Sequence, residues 1–96
     1  MTSMIYVSKR NGSREEFVYE KVVVSCLKAG AALEASRKIA KIVEGRLLDK
    51  GVSDISAIEL TKMILELLKR ENEEWYRNWI LFDRAVKKRR TEEELK

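Results

Sequence analysis

Basic side chains cluster around a predicted turn in the segment VSKRNGSREEF near the start of the chain. The pair Asn11 and Gly12 is typical of a two-residue hairpin turn, which joins two antiparallel strands. Lys9 and Arg10 precede this turn and Lys21 follows the second strand, so the fold-back brings their charges toward one end of the hairpin. Arginine supplies a rigid bidentate donor and lysine a mobile charge, which together suit phosphate oxygens. The segment therefore predicts an anion site.

Two considerations weigh against this interpretation. Cations on a hairpin often form only a solvated edge that discourages strand-to-strand aggregation. In addition, adjacent residues of a strand point to opposite faces, so Lys9 and Arg10 reach one pocket only if the strand twists or bulges there.

The residue types needed for catalysis are scarce. Histidine is absent, which removes the usual general base and argues against a zinc site. The single cysteine, Cys26, lies in an apolar segment and is expected to be a buried hydrophobe. Glu15 and Glu16 are neighbours in a predicted strand and point to opposite faces, so they are poorly placed to share acid/base work. The four glycines are too scattered for a phosphate loop. We predict a non-catalytic chain.

Length and composition indicate one compact domain. The chain has 96 residues, of which 45% are apolar and 38% charged, and its net charge of +4 allows an anionic partner. Its first residues lack an apolar run of signal-peptide length, and no stretch approaches the roughly 20 apolar residues of a membrane span. We expect a cytoplasmic protein that does not enter the membrane.

The elements that position the basic residues are mainly helices. Helical spacing of apolar residues predicts a first helix over 19–29, although its three consecutive valines also suit a strand. A clearer helix begins near Ala32 and ends at Gly51. The stretch VSDIS, residues 52–56, has the alternation of a brief strand or turn. We predict an α+β, mainly α, fold: a four-helix bundle capped by a small N-terminal β-hairpin or three-stranded sheet.

The last two helices have distinct signals. Ser56 is expected to cap the third helix, with Glu59 completing a capping box, and this helix extends to about residue 70. The fourth helix carries an aromatic stripe of Trp75, Trp79, Phe82 and Val86, which is expected to be core more than a binding platform. We place the domain at 1–90 and interpret 91–96 as a flexible tail or the start of a linker.

A basic block lies at the C-terminal end of the fourth helix, which is expected to continue into the sequence KKRR. Its members are Arg84, Lys87, Lys88, Arg89 and Arg90. One interpretation is a nucleic-acid contact, in which these residues grip phosphates. The other is that the block stabilises a helix C-terminus, where the dipole favours cations. A helical association module without a ligand is a third hypothesis for the chain.

The pattern V-x-K-R-x-G-x-x-E-x-F followed by E-K-V resembles the opening of the ATP-cone domain. That family senses ATP and dATP at the N-terminus of many ribonucleotide reductases and in a bacterial repressor of reductase genes. The similarity extends to the W-x-R-x-x-x-x-F spacing of the fourth helix. The family fold is a four-helix bundle covered by a three-stranded sheet, with the nucleotide between them. Two positions depart from the family pattern: Val18 replaces a frequent Asp or Asn, and Ala57 a frequent Ser or Thr.

The resemblance implies specific roles for residues that match the motif. Val7 is expected to contact the adenine through its backbone, and Glu15 to hold the base or sugar. The phosphate contacts are expected from Lys9, Arg10, Lys21 and Lys87. The implied effector is ATP or dATP, accompanied by Mg²⁺. The implied function is a regulatory module that controls an attached or partner enzyme or regulator through changes in association state, with a homo-oligomer or a partner enzyme as its partner.

Overall fold

The computed structural model describes residues 4–85 and confirms an α+β protein that is mainly helical. Its elements in chain order are β1 (Tyr6–Ser8), β2 (Arg14–Glu16), α1 (Tyr19–Lys28), α2 (Leu33–Asp49), β3 (Asp54–Ser56), α3 (Ala57–Glu71) and α4 (Glu73–Ala85). None of these helices is long and apolar enough to cross a membrane. The basic residues Lys87, Lys88, Arg89 and Arg90 lie outside the described part of the chain.

The three strands form one sheet in the order β2-β1-β3. Strand β1 pairs antiparallel with β2 and parallel with β3, and Val7 stands opposite both Glu15 and Ile55. Val7 and Ile55 are buried, whereas Tyr6 and Ser8 on the alternate face are only partly covered. The expected third strand is therefore present, and one face of the sheet packs toward the helices.

The turn between β1 and β2 is longer than predicted. The backbone N–H of Lys9 donates to Ser13 O at 2.7 Å, and that of Gly12 donates to Lys9 O at 3.0 Å. Three residues thus separate Lys9 from Ser13, and the predicted two-residue turn is wrong. Gly12, with φ of +87°, is the left-handed residue that closes such a three-residue loop. Asn11 Oδ1 accepts hydrogen bonds from the N–H of Ser13 at 3.0 Å and from its hydroxyl at 2.7 Å, which stabilises the longer turn.

The longer turn allows Lys9 and Arg10 to share one anion site, although adjacent residues within a strand would point to opposite faces. Strand β1 ends at Ser8, so Lys9 and Arg10 belong to the turn and are not bound to opposite faces of a strand. Both side chains are exposed at the rim of the sheet.

Helix α1 forms as predicted despite its run of valines. Val22, Val23 and Cys26 are buried on one face, and tertiary packing of that face outweighs the strand preference of valine. Cys26 is 0% exposed, and burial raises the pKa of its thiol to about 11. The expectation that Cys26 is a buried hydrophobe is confirmed. Its raised pKa also disfavours the reactive thiolate form.

The core lies between the inner face of the sheet and the bundle. Helix α1 packs on α2, α2 on α3, and α3 on α4. The buried apolar side chains are Ile5, Val7, Val22, Val23, Cys26, Ala29, Ala31, Ile39, Ala40, Val43, Leu47, Ile55, Ile64, Leu65, Leu67, Leu68 and Ile80.

Helix α3 begins with the predicted serine cap, whereas α4 buries a different face from the one that the sequence predicts. The backbone N–H of Glu59 donates to Ser56 Oγ at 3.1 Å, so the predicted cap is formed. On α4, the stripe residues Trp75, Trp79 and Phe82 are only half-buried, while Ile80 and Asp83 are buried. Val86, the last residue of the predicted stripe, lies outside the described part of the chain. The stripe therefore lies at the edge of the core, and the prediction that it forms the core is only partly correct.

Candidate functional site

A cleft lies between the sheet and the helices and consists of two adjoining cavities. The inner cavity has a volume of about 210 Å³ and the outer one about 530 Å³. They share Val7 and Glu15 from the sheet with Ala57 and Thr61 from α3. The outer cavity alone has a volume in the range expected for a small-molecule site, and the inner cavity extends it toward the core.

The inner cavity is mostly apolar. Its walls come from the sheet, the β2–α1 connection and helices α1, α3 and α4. The lining residues are Val7, Glu15, Glu16, Phe17, Val18, Lys21, Val22, Ser25, Ala57, Leu60, Thr61, Ile64 and Trp79. Aliphatic and aromatic walls with a few polar groups suit a flat ring system.

The outer cavity is polar and lies under the β1–β2 turn. Lys9, Arg10 and Asn11 line it together with the shared residues. Two cations on the rim attract an anionic group, and their side chains can hydrogen-bond several oxygens. An apolar recess that opens into a basic mouth can hold a molecule with a ring at one end and negative charge at the other.

A carboxylate organises the cations between the two cavities. Glu15 Oε2 lies 3.0 Å from Lys9 Nζ and 3.3 Å from Lys21 Nζ. The hydrogen bond from Lys9 holds the pKa of Glu15 below its usual value, and Lys21 acts in the same direction. Both lysines are therefore drawn to one point, although they come from the turn and from α1.

Arg14 has a different role from the other basic residues of the hairpin. Its guanidinium makes two hydrogen bonds to the carboxylate of Asp54, at 3.2 and 2.7 Å, and lies 4.7 Å from the centre of the Tyr6 ring. These contacts lie on the outer face of the sheet and join β2 to β3 across β1. Arg14 thus supports the strands and does not line either cavity.

The structure brings together the early residues of the predicted site. Val7, Lys9, Arg10, Glu15 and Lys21 all line the cleft. Arg84, predicted to contact nucleic acid, is exposed on the last turn of α4 and lines neither cavity. The predicted contacts of Lys87, Lys88, Arg89 and Arg90 fall outside the described residues.

Sequence reasoning missed two polar or aromatic contributors to the cleft. Thr61 lies one turn after Ala57 on α3 and supplies a hydroxyl to both cavities, at a face where Ala57 has none. Trp79 comes from α4 and lines the inner cavity, although its stripe was interpreted as core. The i to i+4 spacing of residues 57 and 61 could have indicated a shared face, but not that this face meets the sheet.

Helix α4 is held against α1 by a side-chain hydrogen bond. Asn78 Nδ2 donates to the backbone carbonyl of Ala29 at 3.0 Å, at the end of α1. This contact places the next residue, Trp79, beside α1 and the inner cavity. The cleft is therefore completed by an element far along the chain from the hairpin.

The sheet, the helical bundle and the cleft between them are typical of a small α+β domain that binds a ligand. A family model described as ATP cone domain matches residues 5–91. The chain belongs to the ATP-cone domain family. This family is a nucleotide-sensing regulatory domain that binds ATP and dATP effectors, and it is not catalytic.

The chain is similar to several proteins named transcriptional repressor NrdR. The protein from Geobacillus kaustophilus is 33% identical over 76 residues, which is 75% of this chain and 50% of that repressor. The Staphylococcus carnosus protein is 36% identical over 70 residues, 69% of this chain and 45% of its own length. The Kosmotoga olearia protein is 33% identical over 72 residues, with 71% and 46% covered. The chain spans about half the length of the curated relatives it matches.

Proposed function

We propose that this domain binds ATP or dATP in the cleft and thereby regulates an attached or partner protein. The observation that carries the proposal is the continuity of an apolar recess with a mouth rimmed by Lys9 and Arg10. Membership of the ATP-cone family supports the choice of an adenine nucleotide. A purine then occupies the inner cavity and the triphosphate the outer one.

The proposed contacts follow from the sides of the cleft. Lys9 and Arg10 line the outer cavity and bind the phosphates with charge-assisted hydrogen bonds. Lys21 lines the inner cavity and reaches the phosphates from the boundary of the two cavities, where its ammonium lies 3.3 Å from Glu15 Oε2. Glu15 lies where the two cavities meet, which suits an acceptor for the sugar hydroxyls. The family resemblance adds Lys87 as a further phosphate ligand.

The family resemblance implies a backbone contact from Val7 to the adenine, and we propose that the Val7 side chain adds a further contact. The backbone pair of Lys9 and Ser13 is hydrogen-bonded. Every second pair of an antiparallel ladder is hydrogen-bonded, so the Val7–Glu15 pair, two residues along, has the same pattern. The N–H of Val7 is therefore engaged by β2, while its side chain faces the cavity.

We further propose that Mg²⁺ enters with the nucleotide. Mg²⁺ is typically held by phosphate oxygens, waters and one or two carboxylates, without a complete protein cage. Glu15 is a carboxylate at the boundary of the outer cavity. The metal would offset phosphate charge that Lys9 and Arg10 leave unneutralised.

Regulation requires that the nucleotide bind two states of the protein with different affinities. We propose that these states differ in association with another copy or with a partner enzyme. Size measurements by light scattering, with and without ATP or dATP, test this step. Identical masses under all three conditions would contradict control through association and leave simple binding.

Calorimetric titration with ATP, dATP and GTP in the presence of Mg²⁺ tests the binding proposal. We expect saturable binding of the adenine nucleotides and loss of that binding in a Lys9→Ala, Arg10→Ala double variant. The matched control replaces exposed Lys41 and Arg46 of α2 by alanine, which removes the same charge away from the cleft. Absence of binding by the unaltered domain at millimolar nucleotide would refute the function, as would equal losses in the two double variants.

Contact with DNA is a second candidate. It is favoured by the similarity to transcriptional repressors and by Arg84 with the basic residues that follow it. Several phosphate contacts predict a steep loss of affinity as salt rises. A DNA titration at several salt concentrations distinguishes this from nucleotide binding alone, and Arg84→Gln is expected to reduce the salt slope.

A further inference from the structure

Helix α4 carries a buried carboxylate that core packing does not require. Within residues 4–85, the buried polar side chains are Ser36 and Asp83, and Asp83 is 3% exposed. Ser36 donates to the carbonyl of Ala32, one turn earlier in its own helix, at 2.9 Å. Burying a carboxylate is costly even when it has partners. Asp83 therefore calls for a role beyond packing.

Asp83 accepts a hydrogen bond from an aromatic residue of the cleft. Trp79 Nε1–H donates to Asp83 Oδ2 at 3.2 Å, one turn apart on α4. An indole has its single N–H on one edge, so this bond selects one of the two flipped orientations of the ring. Trp79 also lines the inner cavity, so the bond orients a wall of the cleft.

A small cavity beside the Trp79 indole would allow the ring to adopt a different orientation. This third, smaller cavity of about 40 Å³ lies between α1 and α4, next to Asp83. Trp79 and Ser25 line both this small cavity and the inner cavity of the cleft. Without the bond to Asp83, the ring has room to tilt away from the cleft.

We propose that Asp83 is a positioning residue that holds the Trp79 indole as a stacking surface for the nucleotide base. The inference rests on the proposed function, because it assigns the base to the inner cavity. Trp79 contacts the ligand, and Asp83 acts on ligand binding through Trp79. Purine rings stack on indole faces without regard to which base is present, so the pair contributes affinity at the base end of the ligand and none at the phosphate end.

Comparison of two ligands separates this role from a general effect on folding. ATP has a base and inorganic tripolyphosphate does not, although both engage the basic mouth. We expect Asp83→Ala to weaken ATP binding by at least about 5-fold, the lower end of what base–aromatic stacking provides. Binding of tripolyphosphate is expected to stay unchanged. The conservative variant Asp83→Asn retains a carbonyl acceptor for the indole and is expected to recover most of the ATP affinity.

Fluorescence gives a readout specific to the indole. The chain has two tryptophans, so a Trp75→Phe background leaves Trp79 as the single emitter. In this background we expect ATP to quench the emission and tripolyphosphate to leave it nearly unchanged. Asp83→Ala is expected to reduce the quenching, and Asp83→Asn to preserve it.

A double-mutant cycle tests whether Asp83 acts through Trp79. Phenylalanine at position 79 has no N–H, so Asp83→Ala in a Trp79→Phe background is expected to cause no additional loss of ATP affinity. Far-UV circular dichroism verifies folding of each variant. If Asp83→Ala does not fold, Asp83→Leu, which fills the same space without an acceptor, takes its place in the comparison of ATP with tripolyphosphate and in the cycle with Trp79→Phe.

Three results would overturn the assignment. These are equal weakening of both ligands by Asp83→Ala, unchanged ATP affinity in folded Asp83→Ala, and the same loss in the Trp79→Phe background as in the unaltered one. If the unaltered domain binds ATP but the variants show any of these, only the role of Asp83 fails. If the unaltered domain binds neither ligand, the proposed function fails with it.

Discussion

Replacing Lys9 by glutamine removes one charge from the rim of the cleft and keeps a side chain of similar length. Lys9 Nζ lies 3.0 Å from Glu15 Oε2, and its side chain is 47% exposed. It also lines the outer cavity. The same ammonium therefore serves a solvent-screened ion pair in the free domain and, under the proposed function, a phosphate contact in the bound one.

The expected magnitudes differ strongly between these two settings. Exposed ion pairs contribute about 0–1 kcal/mol, so Lys9→Gln is expected to change the free energy of unfolding by less than ~1 kcal/mol. A hydrogen bond to a charged group contributes roughly 1.5–3 kcal/mol. Loss of one such phosphate contact corresponds to a decrease in ATP affinity of about 10-fold to 150-fold.

Calorimetry at fixed ionic strength measures the affinity, and urea unfolding measures the stability. The matched control is Lys41→Gln, which removes the same charge from an exposed position of α2 that lines neither cavity. Both variants change the net charge equally, so a difference between them reports local contact. Repeating the titration at higher salt separates contact from long-range attraction, which screening weakens.

Two results would refute the reasoning. One is a decrease in ATP affinity below about 3-fold in a folded Lys9→Gln domain, since this is far less than a charged hydrogen bond provides. The other is an equal decrease in the Lys41 variant, which would show that overall charge controls binding.

Three further predictions concern the fold around the cleft. Ser56→Ala removes the cap of α3 and is expected to cost about 1 kcal/mol in urea unfolding, whereas Ser56→Asp, which can still cap, is expected to retain stability. Gly12→Ala is expected to destabilise the domain by about 1 kcal/mol because of its positive φ, and Gly45→Ala, in a helix with open space around it, to stabilise it by about 0.5–1 kcal/mol; opposite signs in denaturation are the test. The hydrogen bond from Lys9 lowers the pKa of Glu15, so its stabilising effect is present above the ordinary pKa of 4.5 and is lost as pH falls through the lowered value. Unfolding midpoints measured across the acidic range should therefore fall more steeply for the unaltered domain than for Glu15→Gln, and parallel curves would contradict this.

Local interactions explain why much of the fold could be predicted. The apolar spacing of α2, the serine cap of α3 and the hairpin all depend on residues within a few positions of one another. Such contacts are fully specified by neighbouring side chains, so the identity of each element is readable from the chain itself. The turn length was misjudged because Asn-Gly also fits a three-residue loop, and hydrogen bonds from Ser13 to Asn11 favour that loop.

Long-range packing decided how the cleft is completed. Pairing of β1 with β3 joins Tyr6 to Asp54, and the face that α4 presents to the cleft depends on its contacts with α1 and α3. The aromatic stripe of α4 is equally compatible with a core position and with a cavity wall. Only docking of the helix, including the bond from Asn78 to Ala29, turns Trp79 toward the inner cavity.

By itself, the sequence determined which residues carry positive charge near the turn, the order of the helices and the lack of a histidine base. The tertiary structure decided that Lys9 and Lys21 meet at Glu15 beside an apolar recess. The physical reason is that charge and helical periodicity are properties of short segments. A cavity, in contrast, exists only where segments distant in the chain pack together and leave space between them.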